Sequence, residues 1–238
     1  MPFSMVSRCD DKRQPVLILD LDGTLLGTNS FPHWVQHLAR ARFDHLGTVR
    51  RAAISLAVFT AFIRRRLRLL DHAMFKYRLQ QIWQDAVQGD NGAAEQQMIA
   101  ELRRFVRPEF APLLADVAAD RIDAVLATAA AGDYALGLGR ALGFTHILAT
   151  PVGRAAPRND NVGRQKRDAV LQLLLDHGWH NRPLILYTDH VDDLPLIRIS
   201  QTTYWFGSDE MRLRIARDIP ETDLRPGLRK THELSLSA

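Results

Sequence analysis

The run Val16-Leu17-Ile18-Leu19 is apolar at every position and ends abruptly in a carboxylate, Asp20. A strand with one wet face alternates polar and apolar residues. A strand apolar on both faces is covered on both, the condition of an interior strand in a parallel sheet flanked by helices. Similar runs recur at 122–127, 146–149, 184–187 and 202–206, with amphipathic stretches at 108–119, 133–142, 165–177 and 209–216 between them. Strand alternating with helix predicts an α/β fold: a Rossmann-like, doubly wound parallel sheet.

Residues 31–106 break that alternation. They carry no strand pattern and read as four helices over 31–46, 49–70, 72–88 and 93–106, with Gly47 and the Gly89-Asp90-Asn91-Gly92 cluster as turns. A block of this length exceeds a simple crossover. The expected organisation is an α/β core formed by 1–28 and 107–219, with an all-helical cap domain inserted at 29–106. The polar, weakly patterned segment 220–238 is expected to be a flexible C-terminal tail.

Composition narrows the setting. The one cysteine, Cys9, leaves no intrachain disulfide framework and suits a reducing, cytoplasmic compartment. Residues 1–14 lack the apolar centre of a signal peptide. A net charge of +4 admits anionic partners, but no interleaving of basic and aromatic residues points to nucleic acid. Nothing in the sequence fixes an oligomeric state. Only four of the 31 basic side chains are lysines (Lys12, Lys76, Lys166 and Lys230), so a lysine at a special position stands out.

Ala52 to Ile63 is apolar and bracketed by Arg50-Arg51 and Arg64-Arg65-Arg66. A spanning helix needs about 20 apolar residues, so this one is expected to be buried or interfacial. Arg64, Arg65, Arg66 and Arg68 form the densest positive patch. Peripheral contact with the inner face of a membrane is one reading of it; a core-facing helix with a solvated basic end is the favoured one.

The segment Asp20-Leu21-Asp22-Gly23-Thr24-Leu25 sets two carboxylates just past the end of the first strand. Ligands of open α/β sheets sit at the carboxyl ends of strands, and Gly23 and Thr24 can turn the chain so that Asp22 stands beside Asp20. A second apolar strand, Leu184 to Tyr187, leads through Thr188 to Asp189, His190, Asp192 and Asp193. If the two strands are neighbours, three or four acids converge, and two unit charges about 4 Å apart repel by roughly 4 kcal/mol at an effective dielectric near 20. Such a cluster calls for a cation, and oxygen ligands at a strand end favour magnesium. His33 and His37 stand one helical turn apart but lack a third zinc ligand, and are expected to be ordinary helix or cap residues.

With these segments the chain resembles the haloacid dehalogenase superfamily. Its DxDGT motif stands as Asp20 to Thr24, and its Ser/Thr after the next strand as Thr128. Its lysine at a helix start stands as Lys166, and its GDxxxD-like acidic loop as Asp189 to Asp193. The resemblance implies that Asp20 is a nucleophile forming an aspartyl-phosphate and Asp22 a general acid–base. Thr128 and Lys166, with the Gly23–Thr24 turn, would hold the phosphoryl oxygens. Asp20, the Asp22 carbonyl and Asp189 would hold magnesium, with Asp193 as an outer member of the metal site and Asp192 its rival. Dehalogenases of the superfamily lack the second acid, so Asp22 argues for a phosphatase acting on a small-molecule phosphate ester. Phosphoserine phosphatases read DxDST with a nearby glutamate; Gly23 and Asn29 at those positions speak against phosphoserine. Thr188 and His190 depart from the glycine and small residue usual beside the metal acid, and predict a narrowed or differently hydrated metal site. A membrane-associated lipid-phosphate phosphatase and a non-catalytic binding module are the alternatives.

Overall fold

The computed structural model describes residues 14–152 and 160–227. Cys9, Lys12, Lys230 and the last residues of the expected tail lie outside these. Six strands form one parallel sheet in the order β3-β2-β1-β4-β5-β6. They are β1 (Val16–Leu19), β2 (Ala124–Ala131), β3 (His146–Thr150), β4 (Leu184–Thr188), β5 (Thr202–Trp205) and β6 (Asp223–Pro226). The order reverses at β1, with β2 on one side and β4 on the other. The ends of these three strands therefore frame the crevice in which open α/β sheets bind ligands.

The doubly apolar character of β1 has a direct structural counterpart. Leu17 and Leu19 enter one hydrophobic cluster, Val16 and Ile18 a second one across the sheet. Helices α7 (Arg164–Asp176), α8 (Leu194–Ile197) and α9 (Asp209–Asp218) supply the second cluster through Val170, Leu174, Leu196, Ile197 and Ile215. The opposite face is covered by α5 (Ala111–Ala118) and α6 (Gly132–Ala141), together with the four inserted helices that precede α5.

Those four are α1 (Ser30–Ala39), α2 (Thr48–Arg66), α3 (His72–Ala86) and α4 (Ala93–Leu102). Side-chain caps start α1 and α3: the Asn29 side chain accepts from Phe31 N at 2.9 Å, and the Asp71 side chain accepts from Met74 N at 2.7 Å. The four helices have no core of their own. Trp34, Leu38, Phe75 and Trp83 belong to the same cluster as Leu17, Leu19 and Leu126. The approach of α4 to α6 runs through Gly137, where a Cβ would meet Ile99 at 2.8 Å.

Polar anchors reinforce the apolar ones. Lys76 of α3 is buried and donates to Ala129 O at 2.6 Å, Thr150 Oγ1 at 3.0 Å and Asp160 Oδ1 at 3.0 Å, joining α3 to the ends of β2 and β3. Gln80 and Gln84 donate from the same helix to Asp133 of α6.

The sheet also extends past residue 219, into the segment expected to be a loose tail. Asp223–Pro226 pairs in parallel with β5, and Gly227 N donates to Trp205 O at 2.6 Å. This strand is mostly exposed and polar, so backbone pairing rather than an apolar pattern defines it. Pro226 is tolerated because it ends an edge strand.

Candidate active site

Asp20 leaves the end of β1 and its backbone N–H donates to Tyr187 O of β4, which fixes the two strand ends side by side. The chain then coils tightly through Leu21–Leu25, closed by Leu26 N donating to Leu21 O at 2.8 Å, with Gly23 at φ +72°. A left-handed backbone favours glycine, and the space demands it. A Cβ on Gly23 would lie 2.0 Å from Asp189 Oδ2. Thr24, fully buried, directs its hydroxyl at Asp189 Oδ1 from 3.4 Å. Arg107 holds the Gly23 carbonyl at 3.0 Å.

Lys166 enters from the first turn of α7 and is buried, donating to Asp20 Oδ1 at 2.7 Å and to Asp193 Oδ2 at 2.9 Å. Burial works against its charge, but the two carboxylates and their hydrogen bonds prevail and raise its pKa above the ordinary lysine value. A lysine in a helix's first turn opposes the helix dipole; here the acids offset that cost. Burial, with further upward pressure from Asp193 and Asp22, pushes Asp20 up to about 7 despite the pull of Lys166.

Asp22 is placed differently. Its Oδ1 accepts the backbone N–H of Ser30 at 2.7 Å, at the N-terminus of α1, and the Ser30 hydroxyl shares a 2.7 Å hydrogen bond with Tyr134. Burial raises the Asp22 pKa, opposed by the Ser30 hydrogen bond. Burial likewise raises that of Asp189. Thr128 is buried in β2 and its hydroxyl accepts from Ala130 N at 3.0 Å, while Asn161 donates to the Thr128 carbonyl at 3.0 Å.

Asp20, Asp22, Gly23, Thr128, Lys166, Asp189 and Asp193 all line one cavity of about 350 Å³, and Thr24 stands behind Asp189. Lys166 is its one lysine, facing the carboxylates of Asp20, Asp22, Asp189, Asp192 and Asp193. Asp193 is buried, whereas Asp192 is exposed and pairs with His190 at 3.3 Å. The two acids thus differ in burial and in partner. His190 is itself exposed and stands at the mouth.

Several contributors are invisible in the linear pattern. Thr188 donates to Asp193 five residues on, while Asn161 fixes the β2 end and Ser30 with Tyr134 supports Asp22 through partners distant in sequence or by a backbone group. Asn29 combines helix capping with a place on the cavity wall. Away from the cavity, His33 bonds Glu101 at 3.1 Å, and His37 is buried against Phe43 and Trp83. The two histidines belong to the packing of the inserted helices.

No curated protein sequence matches the chain significantly. A protein of unknown function from Bordetella pertussis Tohama I has a similar structure, with a TM-score of 0.68 and 20% identity over 90% of this chain and 98% of the other. A "probable phosphoserine phosphatase" from Vibrio cholerae gives a TM-score of 0.52 and 14% identity, covering 86% of this chain and 61% of that one. A cytosolic 5'-nucleotidase IIIB bound to cytidine gives 0.51 and 13%, covering 92% and 82%. At these identities the likeness is one of fold. The family model of haloacid dehalogenase-like hydrolases matches residues 17–198, which span β1, the inserted helices and the acidic loop after β4, and the chain belongs to that family.

Proposed function

We propose that the protein is a magnesium-dependent phosphomonoester hydrolase acting through an aspartyl-phosphate on Asp20. The observation that carries this reading is the pairing of two unlike carboxyls in one cavity. Asp20 has one oxygen bound by the Lys166 ammonium, whereas Asp22 meets no cation among the described residues and accepts the backbone N–H of Ser30, which leaves it free to give and take a proton. A site that only binds phosphate needs no such acid.

In the first step an Asp20 carboxylate oxygen attacks phosphorus. The bond from phosphorus to the ester oxygen breaks, and the departing alcohol takes the proton of Asp22. In the second, Asp22 accepts a proton from the water that attacks the acyl phosphate, releasing phosphate and restoring Asp20. Lys166, the Thr128 hydroxyl and backbone N–H groups of the Gly23 turn suit the transferring phosphoryl oxygens, where fixed donors stabilise developing charge. Asp193 also serves this scheme by holding Lys166, its Oδ2 accepting from Lys166 and Thr188.

The residues also fit a magnesium ion. A single lysine faces a cluster of acids, several of them buried at raised pKa, and the available donors are hard oxygens. The side chains of Asp20 and Asp189 and the backbone carbonyl of Asp22 would hold it. Among the described residues no ready cage of three such side chains exists, in keeping with an ion that retains water and shares its shell with substrate. Magnesium supplies positive charge beside the phosphoryl oxygens when bound. Phosphate release from a broad panel of phosphomonoesters, with and without magnesium, tests the reading, with Asp20→Asn as control. Release that needs the metal and vanishes in the variant supports it. Equal turnover in the variant overturns it.

A further inference from the structure

A helix on a protein surface ordinarily turns polar residues outward. Helix α2 does the opposite. Its inner face packs through Ile54, Val58 and Ala61, while its outer face presents Val49, Ala52, Ala53, Leu56, Phe59, Thr60 and Ile63 to solvent. Leu56 is 64% and Phe59 63% exposed, and the apolar surface continues past the helix end in Leu67 and Leu69 at 63% and 68%. From Val49 to Ile63 the stripe spans about 21 Å at the rise of an α-helix.

Charge accompanies it at both ends. Arg50 lies at one, and Arg64, Arg65, Arg66 and Arg68 at the other, all exposed. Among the described residues none of these five arginines meets an acidic side chain, and residues 45–70 contain no aspartate or glutamate. The turn that closes α2, with Leu69 N donating to Arg64 O at 2.9 Å and Arg68 at φ +58°, keeps the basic cluster beside Leu67 and Leu69.

We infer that the outer face of α2 is a docking surface for an anionic lipid bilayer. Apolar side chains flanked by arginines match an acyl boundary lying beneath anionic headgroups. A second copy of the chain is a poorer occupant, because α2 carries arginines at both ends and residues 45–70 hold no acid, so parallel and antiparallel helix pairs alike would set arginine against arginine. Among the described residues no helix is long and apolar enough to cross a membrane, so α2 lies along the surface. Helix α2 contributes no residue to the cavity lining, so this docking stands or falls independently of the proposed hydrolysis.

Vesicle co-sedimentation of the full chain tests it, using phosphatidylcholine alone and phosphatidylcholine mixed with phosphatidylglycerol. The protein should pellet with the anionic vesicles and be released by raised salt. Two variants separate the contributions: Leu56→Ser with Phe59→Ser, and Arg64→Gln with Arg66→Gln. All four side chains are exposed, and far-UV circular dichroism checks that the fold is kept. The apolar pair should weaken binding by at least about tenfold. The arginine pair should weaken it by about fivefold per charge. No pelleting with either vesicle overturns the inference, as does pelleting that neither variant alters. A dimer in sedimentation velocity that Leu56→Ser with Phe59→Ser converts to monomer, without vesicle binding, also overturns it and gives the face to a second copy.

Discussion

Thr188 donates its hydroxyl to Asp193 Oδ2 at 2.6 Å, and Lys166 donates to the same oxygen at 2.9 Å. A residue that looks like a departure beside Asp189 is thus part of the support for the buried lysine. Thr188→Val keeps the shape and removes the donor. A hydrogen bond to a charged group contributes about 1.5–3 kcal/mol, so melting should fall by several degrees and turnover by about tenfold. Unchanged kcat in thermal and kinetic assays would show that Lys166 is held well enough without Thr188.

Lys166→Met should do far more harm. It leaves Asp20 and Asp193 buried without their shared cation, a loss of about 3–5 kcal/mol by analogy with broken buried pairs. Phosphate release should drop by about a thousandfold, as expected when a fixed donor to a developing charge is lost. Chemical denaturation with parallel kinetics measures both effects.

Gly23→Ala and Gly89→Ala form a matched pair. Both glycines have positive φ, at +72° and +83°, but an added Cβ meets Asp189 at Gly23 and nothing within 4 Å at Gly89. Gly89→Ala should cost only backbone strain of about 1 kcal/mol. Gly23→Ala should also displace Asp189 and abolish magnesium binding in calorimetric titration. Equal affinity for magnesium in the two variants would remove Asp189 from the metal site.

Magnesium itself should stabilise the fold by relieving the crowding of acids around one lysine. At a concentration of 100 times the dissociation constant, a ligand of the native state contributes about 2.7 kcal/mol. For a chain of this size that is a rise in Tm of roughly 5–10 °C over chelator-treated protein. Asp189→Asn should erase most of the rise.

The Asp133 carboxyl offers a pH test away from the cavity. Burial raises its pKa, opposed by the amides of Gln80 and Gln84 and by the charge of Lys76. The folded state therefore holds this proton more tightly than the unfolded chain. Its contribution is present below the unfolded value near 4 and is lost as pH rises through the folded one. Asp133→Asn cannot titrate, so relative to wild type it should gain stability as pH climbs from about 4 to about 8. Parallel melting curves across that range would contradict the assignment.

The central strands and the two acidic loops are readable from sequence because burial and charge leave local marks: runs without polar residues, ended by carboxylates. β6 escapes because an exposed edge strand needs only backbone pairing. Lys76 escapes for another reason. Its partners Ala129, Thr150 and Asp160 lie 53 to 84 residues away, and nothing near it on α3 announces a buried charge. Lys166 is legible by its order among the motifs, whereas the geometry that ties it to Thr188 and Asp193 exists only once β4 and α7 have come together.

Trp34 and Trp83 share one cluster with Leu17, Leu19 and Leu126, and Lys76 ties α3 to the ends of β2 and β3. The inserted helices are consequently not an interchangeable module. Transplanting a relative's helices would strip much of the apolar cover from the face of the sheet that α5 and α6 also line. Diversification of such a chain is channelled instead to single positions on the rim, Asn29, His190 and Asp192, where side chains can change without disturbing that common interior.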